Sequence, residues 1–446
     1  MSQTDHPVWL RLLPLALRKR LAGRVNILSI IHNSGWLLLD KFTRMFLGLL
    51  VGAWVARYLG PSEYGELAYV IAYIAFFQAV ATLGLDGIVI REISRDKEIS
   101  KEVLGTSFTL RMYAGIACWL VAVGSLVIID GWNSPTVLIA ALAGGTLIFQ
   151  AADTIDLWFQ SQGQNRRTVI AKLIAYLASN ILKVVLILLK APLVAFALAI
   201  SLDIAISAAG LFFAYKKFPC DGHWCTVKSK ALELLRECWP FILSGLAVII
   251  YMRIDQVMIK EILGAKSLGI YSAILPIAMA PNFIPTIMSV VLMPIISRLY
   301  NEDRKKYHSL LIFIFRVNFY AALFIALCVA ALSDLIVSIL FGPDFMESST
   351  VLRIYIFSNC FTWLGIAHSL WLVNEKRGMV RLYGTVLGAL SCVILNFLLI
   401  PLYGLKGAAF VAIIAQFISA VGVNLFFAKE SFILQAKGIL FLKREL

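Results

Sequence analysis

The chain has 446 residues, 60% of them hydrophobic and only 15% charged, with a mean hydropathy of +0.85. Soluble domains average about 45–50% apolar and about 25% charged, so an ordinary cytosolic enzyme is excluded. A net charge of +14 would suggest nucleic acid in a soluble protein, but in a membrane protein such an excess marks cytoplasmic loops.

The first 25 residues carry Arg11, Arg18, Lys19, Arg20 and Arg24 but no long apolar core before a small-residue cleavage site. They are expected to remain as a basic cytoplasmic N-terminus over 1–26. Apolar runs then predict helices over 27–58, 64–91, 103–129, 135–160, 166–189 and 192–215, a first six-helix bundle. The basic stretch 216–237 is a cytoplasmic linker by position and charge; Leu232, Leu234, Leu235 and Trp239 suit either an interfacial amphipathic helix or a plain loop. Six further helices are expected over 238–262, 267–297, 306–333, 349–373, 379–400 and 405–428. A basic cytoplasmic tail, 429–446, closes the chain. At about 20 apolar residues per crossing, twelve crossings leave no room for a large soluble domain.

With the N-terminus inside, cytoplasmic segments hold 27 of the 40 Lys and Arg, and outer connections hold 5. Shifting the count by one span inverts this asymmetry, so the positive-inside rule supports an even number of spans with both termini cytoplasmic. Cys118, Cys328, Cys360 and Cys392 fall in apolar runs, where a thiol behaves as a small hydrophobe. Cys220, His223, Cys225 and Cys238 have no second C-x-x-C or paired His to complete four metal ligands. They read as reduced thiols, and neither metal nor cofactor is expected.

An internal repeat is present. Leu59-Gly60 with Gly65 recurs 204 positions later as Leu263-Gly264 with Gly269, and at nearly the same offset Arg111 matches Arg316, each followed shortly by Tyr-Ala. Six helices separate the copies, so both halves run the same way through the membrane, a parallel duplication about an axis along the bilayer normal. The expected fold is an all-α integral membrane protein with twelve transmembrane helices in two parallel six-helix repeats around a central cavity.

Eight cations lie inside predicted spans: Lys41, Arg44, Arg111, Lys172, Lys183, Arg253, Arg316 and Arg353. Six acids share them: Asp40, Asp86, Asp153, Asp156, Asp203 and Asp255. Charge near the bilayer centre costs several kcal/mol, so these groups should face a bundle interior or a wet cavity. Asp40 and Arg44 share a helical face, whereas Arg253 and Asp255 diverge and each needs a partner elsewhere. Arg44, Arg253, Lys41, Arg111, Arg316, Lys172 and Arg353 are candidate substrate contacts, set against structural ion pairing. Asp40, Asp153, Asp156 and Asp255 are candidate ion-coupling acids. Pro276, Pro281 and Pro285 in the eighth helix favour bending, either as a hinge or as static curvature.

Val55-Ala56-Arg57-Tyr58-Leu59-Gly60-Pro61, Leu83-Gly84-Leu85-Asp86 with Arg91, Trp158-Phe159-Gln160 through Lys172, and Arg253-Ile254-Asp255-Gln256 with Gly269-Ile270-Tyr271 occur in this order and spacing. The sequence thereby resembles the Wzx-type polysaccharide-unit (O-antigen) flippases, within the multidrug, oligosaccharidyl-lipid and polysaccharide exporter superfamily. The resemblance covers nearly the whole chain. It implies movement of a polyprenyl pyrophosphate-linked oligosaccharide to the outer leaflet of a bacterial inner membrane, with glycan polymerase and chain-length proteins as partners and no nucleic acid.

Two rivals remain at this point. A multidrug cation antiporter would share the fold, but its site should present acids and aromatics rather than an excess of cations. A glycan polymerase or ligase would usually carry a sizeable outer loop, and the longest one here, about 334–348, holds no His, Lys or Arg.

Overall fold

In hydrocarbon a chain must satisfy its own backbone groups, and these apolar runs do so as helices. The computed structural model describes residues 25–220 and 222–440, with side chains from residue 41 onward, and no strand occurs among them. The basic N-terminus up to residue 24 and the side chain of Asp40 lie outside the described residues.

The first half comprises α1 (Val25–Ala81), α2 (Asp86–Arg95), α3 (Ser100–Asp130), α4 (Pro135–Ala143), α5 (Gly145–Phe149), α6 (Asp153–Ser161), α7 (Asn165–Leu188) and α8 (Leu193–Lys217). The second comprises α9 (Lys228–Leu263), α10 (Ala265–Met279), α11 (Phe283–Glu302), α12 (Arg304–Ala331), α13 (Ser333–Leu340), α14 (Glu347–Tyr355), α15 (Ser358–Asn374), α16 (Gly378–Phe417), α17 (Val423–Phe427) and α18 (Lys429–Ile439). Among the described residues, 10 helical stretches are long and apolar enough to cross a membrane. Two of them, Lys41–Arg95 and Gly378–Phe427, contain a backbone break at Gly60 and at Gly404, so the count is consistent with twelve crossings.

Gly60 (φ 72°, ψ 170°) and its repeat mate Gly264 (φ 88°, ψ 169°) share one geometry, which residues with a Cβ rarely adopt. Pro61 follows the first of these turns at a position where its missing N–H costs nothing. The end of the molecule bearing these glycines is the turn end, and the other is the linker end.

Several predicted helices are interrupted. The fourth span breaks after the 9 residues of α4 and the tenth after the 9 residues of α14, so the interruption is itself repeated. In the eighth, Pro276 lies in α10, Pro281 in a 3₁₀ turn over Ala280–Asn282, and Pro285 in α11. Prolines remove helical hydrogen bonds, and a tighter turn absorbs the loss.

Two segments differ from expectation. Only part of 216–237 is a connection: Trp224 Nε1 donates to Tyr215 Oη at 2.7 Å, the Val227 N–H donates to Thr106 Oγ1 at 3.1 Å, and α9 begins at Lys228. Arg91 pairs with Glu237 at 2.6 Å and Lys230 with Glu92 at 3.1 Å, while Leu234 and Cys238 join a core with Leu85, Ile88, Val103 and Leu104. The first turns of α9 are therefore packed into the first half. The tail, over Lys429–Ile439, is a helix lying along α12. Arg316 donates to the carbonyls of Lys437 and Gly438, and Tyr320 Oη to that of Ile439 at 2.7 Å, satisfying acceptors that a helix end leaves open.

One hydrophobic core spans both halves at the turn end, joining Ala56, Leu59 and Leu67 to Leu268, Ile270 and Phe345. Elsewhere two further cores form: one gathers Ile296, Phe315, Leu364 and Trp371 in the second half, the other joins the first-half residues around Ile88 to Leu234 and Cys238 at the start of α9. Large apolar side chains such as Phe213, Phe324 and Phe397 stay exposed, as a lipid-facing surface requires.

Candidate functional site

The intramembrane charges gather in two places, one in each half. In the first, α7 presents Lys172, whose Nζ lies 2.7 Å from both Asp153 Oδ1 and Asp156 Oδ2 on α6. The three-residue spacing of those acids puts them on one helical face, and α7 supplies the cation to it. Arg44 on α1 donates to the Lys172 carbonyl at 2.9 Å and stacks 4.7 Å from the ring centre of Tyr176, whose hydroxyl donates back to the Arg44 carbonyl. Arg44, Lys172, Asp153 and Asp203 line a cavity of about 260 Å³ together with Phe149 and Ser207. The cavity is thus lined by two cations and two acids, all from the first half.

The second cluster surrounds Asp255 on α9. Its Oδ2 accepts from Tyr271 Oη at 2.5 Å and its Oδ1 from the Gln256 N–H at 2.8 Å, and its side chain borders a cavity of about 60 Å³ with Tyr251, Tyr355, Cys392 and Asn396. Arg253 faces away from Asp255, as its spacing requires, and donates to Gln256 Oε1 at 3.3 Å. Arg253 precedes Gly264 by 11 residues, roughly 17 Å at 1.5 Å per residue and near the middle of a hydrocarbon layer about 30 Å thick.

The remaining candidates lie elsewhere. Arg111 is fully buried and pairs with Asp86 at 2.5 Å. Arg353 is at the turn end, held by Ser333 Oγ at 2.8 Å and by Asp334. Arg316 is on the carbonyls of α18, and Lys41 is exposed on α1. Tyr176, Tyr271 and Gln256 complete the two clusters; Gln256 and Tyr271 stand in the motif around Asp255 but are not among the candidate site residues, and Tyr176 is not singled out from sequence. Tyr176 was findable, since it follows Lys172 by four residues on the same helical face.

Removing the Lys172 ammonium would leave Asp153 and Asp156 without a shared counter-charge. Lys172→Ala is expected to lower stability by about 1–3 kcal/mol, read as a fall in melting temperature in detergent. Adding Asp156→Asn should recover most of it, and a double variant no more stable than the single would show that the pairing is not the cause.

Among solved structures, the chain is similar to the inward-facing conformation of a multidrug resistance MATE family transporter of the MOP superfamily, with a TM-score of 0.72 at 18% identity over 88% of this chain and 95% of that one. It is similar too to the lipid II flippase MurJ in an inward closed conformation, with a TM-score of 0.69 at 15% identity over 90% of each chain. At such identities the likeness shows the fold alone, that of the multi-helix transporters these structures represent. The protein is a multi-pass membrane protein with the fold of these transporters. The profile of the family described as polysaccharide biosynthesis protein matches residues 30–300, more than half of the sequence, and the chain belongs to that family. A MatE profile matches residues 240–398. The capsular polysaccharide biosynthesis protein CapF of Staphylococcus aureus is 24% identical over 398 residues, covering 86% of this chain and 95% of CapF.

Proposed function

We propose that the protein moves a polyprenyl (undecaprenyl) pyrophosphate-linked oligosaccharide from the cytoplasmic to the periplasmic leaflet of a bacterial inner membrane by alternating access, for O-antigen or a related surface polysaccharide. The observation that carries the reading is the placing of Arg44 and Arg253, on the first helix of each half, below a hydrophobic core that both halves share at the turn end. By the positive-inside rule the basic linker assigns the linker end to the cytoplasmic side in this reading. A pyrophosphate is a poor solute in hydrocarbon, and guanidinium groups held inside the bundle lower the cost of carrying it. Lys41 and Arg44 receive it in this reading, Arg253 holds it at mid-depth, and Asp40, Asp153, Asp156 and Asp255 are the groups open to protons or sodium. The membership in a polysaccharide biosynthesis family supports a glycan cargo.

Deleting the gene tests this directly. The expected result is loss of a surface glycan with its lipid-linked unit accumulating on the cytoplasmic leaflet; an unchanged cell surface would refute it. The energetics give a second expectation. Moving negative charge out of a negative interior releases about 2.3 kcal/mol per charge per 100 mV, so an uncompensated charge of about −2 gains roughly 4–5 kcal/mol. Proteoliposomes loaded with lipid-linked substrate should respond to a potassium-valinomycin potential at equal pH and sodium on both sides. Dependence on a proton or sodium gradient alone would instead point to the four aspartates.

A further inference from the structure

At the turn end an ion pair lies across the boundary between the halves. Lys260, at the end of α9, places its Nζ 3.6 Å from Oδ1 of Asp130, the last residue of α3. The two side chains are only 15% and 19% exposed. Beneath them the ammonium sits 4.3 Å from the ring centre of Tyr69, a buried residue of the first half, and it also reaches Glu261 at 3.3 Å. The other carboxylate oxygen of Asp130, Oδ2, is enclosed and has no hydrogen-bond partner. The pair is therefore held below full strength, since a buried carboxylate is well stabilised only when both oxygens are satisfied.

Repeat symmetry sharpens the point. The shift of 204 residues that superposes Gly60 on Gly264 takes Asp130 to Asp334, but there the acid is taken by Arg353 of its own half. The same shift takes Lys260 back to Ala56, which is buried and uncharged. A pair that symmetry would make twice is made once.

We propose that Lys260 and Asp130 are the latch that holds the turn end shut, an electrostatic contact broken when the cavity opens on that side. This rests on the alternating-access reading but on nothing about the cargo. An incompletely satisfied pair suits the task, because a contact broken in every transport cycle must be strong enough to bias the closed state and weak enough to release it.

The test measures the distance between spin labels on cysteines placed at the exposed Asn133 and Asp344, on opposite halves at the turn end, in the full chain in lipid nanodiscs. The exposed Cys225 and Cys328 are first replaced by serine, leaving the other native thiols in place. Asp130→Asn and Lys260→Met should each raise the ratio of long to short distances about tenfold, within the usual range of coupling between sites. The double variant should go no further than either single one, the signature of one shared interaction. Asp334→Asn should leave the distribution unchanged. Singles that keep the wild-type distribution while remaining monodisperse, or effects that add in the double variant, would overturn the latch. The labels need no substrate, so an error about the glycan would not move this result.

Discussion

Arg253→Ala should reduce surface glycan roughly 10- to 100-fold while leaving protein abundance unchanged. A charge-assisted hydrogen bond to an anion is worth about 1.5–3 kcal/mol. Of the intramembrane arginines, this one has an amide partner, Gln256, where Arg111 and Arg353 are matched to carboxylates. In the proposed reading its guanidinium, hydrogen-bonded to an amide rather than a carboxylate, meets the phosphate near mid-depth. Arg253→Lys should keep part of the function, because lysine retains the charge but not the planar bidentate geometry. Quantitative immunoblotting beside glycan analysis decides the matter: full activity of the alanine variant at native abundance would leave Arg253 a packing residue.

Gly65→Val is expected to be nearly as damaging for a different reason. The helices that follow the two repeated turns cross where Gly65 meets Ala265 and Gly269 meets Pro61. A methyl built on either glycine would fall well inside van der Waals contact with the opposing carbonyl oxygen, and because that atom is backbone the helices themselves must part. Overpacking costs about 1–3 kcal/mol even where side chains can yield. The variant should populate states separated at the turn end and lose most transport, as should Gly269→Val. Gly245→Ala is the matched control, since a Cβ there meets nothing within 4 Å. A Gly65→Val protein with normal surface glycan would show that tight closure at this crossing is dispensable.

The class of fold was legible because hydrocarbon imposes it: apolar runs of sufficient length have no alternative to helix. The repeat was equally visible at Gly60 and Gly264, where only a glycine relieves the backbone. The break after α4 was marked only by the pair Gly144-Gly145, and that after α14 carried no comparable mark. Nor did the pairing of charges, which depends on how helices are rotated against one another. Asp153 and Asp156 could be put on one face from their spacing, but only packing brings Lys172 to them from α7. Arg111 and Arg316 matched in the repeat, yet the first meets the carboxylate of Asp86 and the second the carbonyls at the end of α18. The tail became a helix for a related reason: Leu434 is buried against the second-half core.

The crossing of Gly65 with Gly269 has a further consequence. Residue 61 meets 269 as 265 meets 65, which is the exchange of partners that a two-fold axis demands of identical subunits. A six-helix unit carrying this one turn would meet a copy of itself through the same contacts, with no residue invented for the purpose. The present chain makes within itself, across its basic connection, the contact that two copies of such a unit would make, with its two halves free to differ. One half could keep a lysine clasped by two aspartates while the other kept an arginine beside an amide, a division of labour that no symmetric pair can hold.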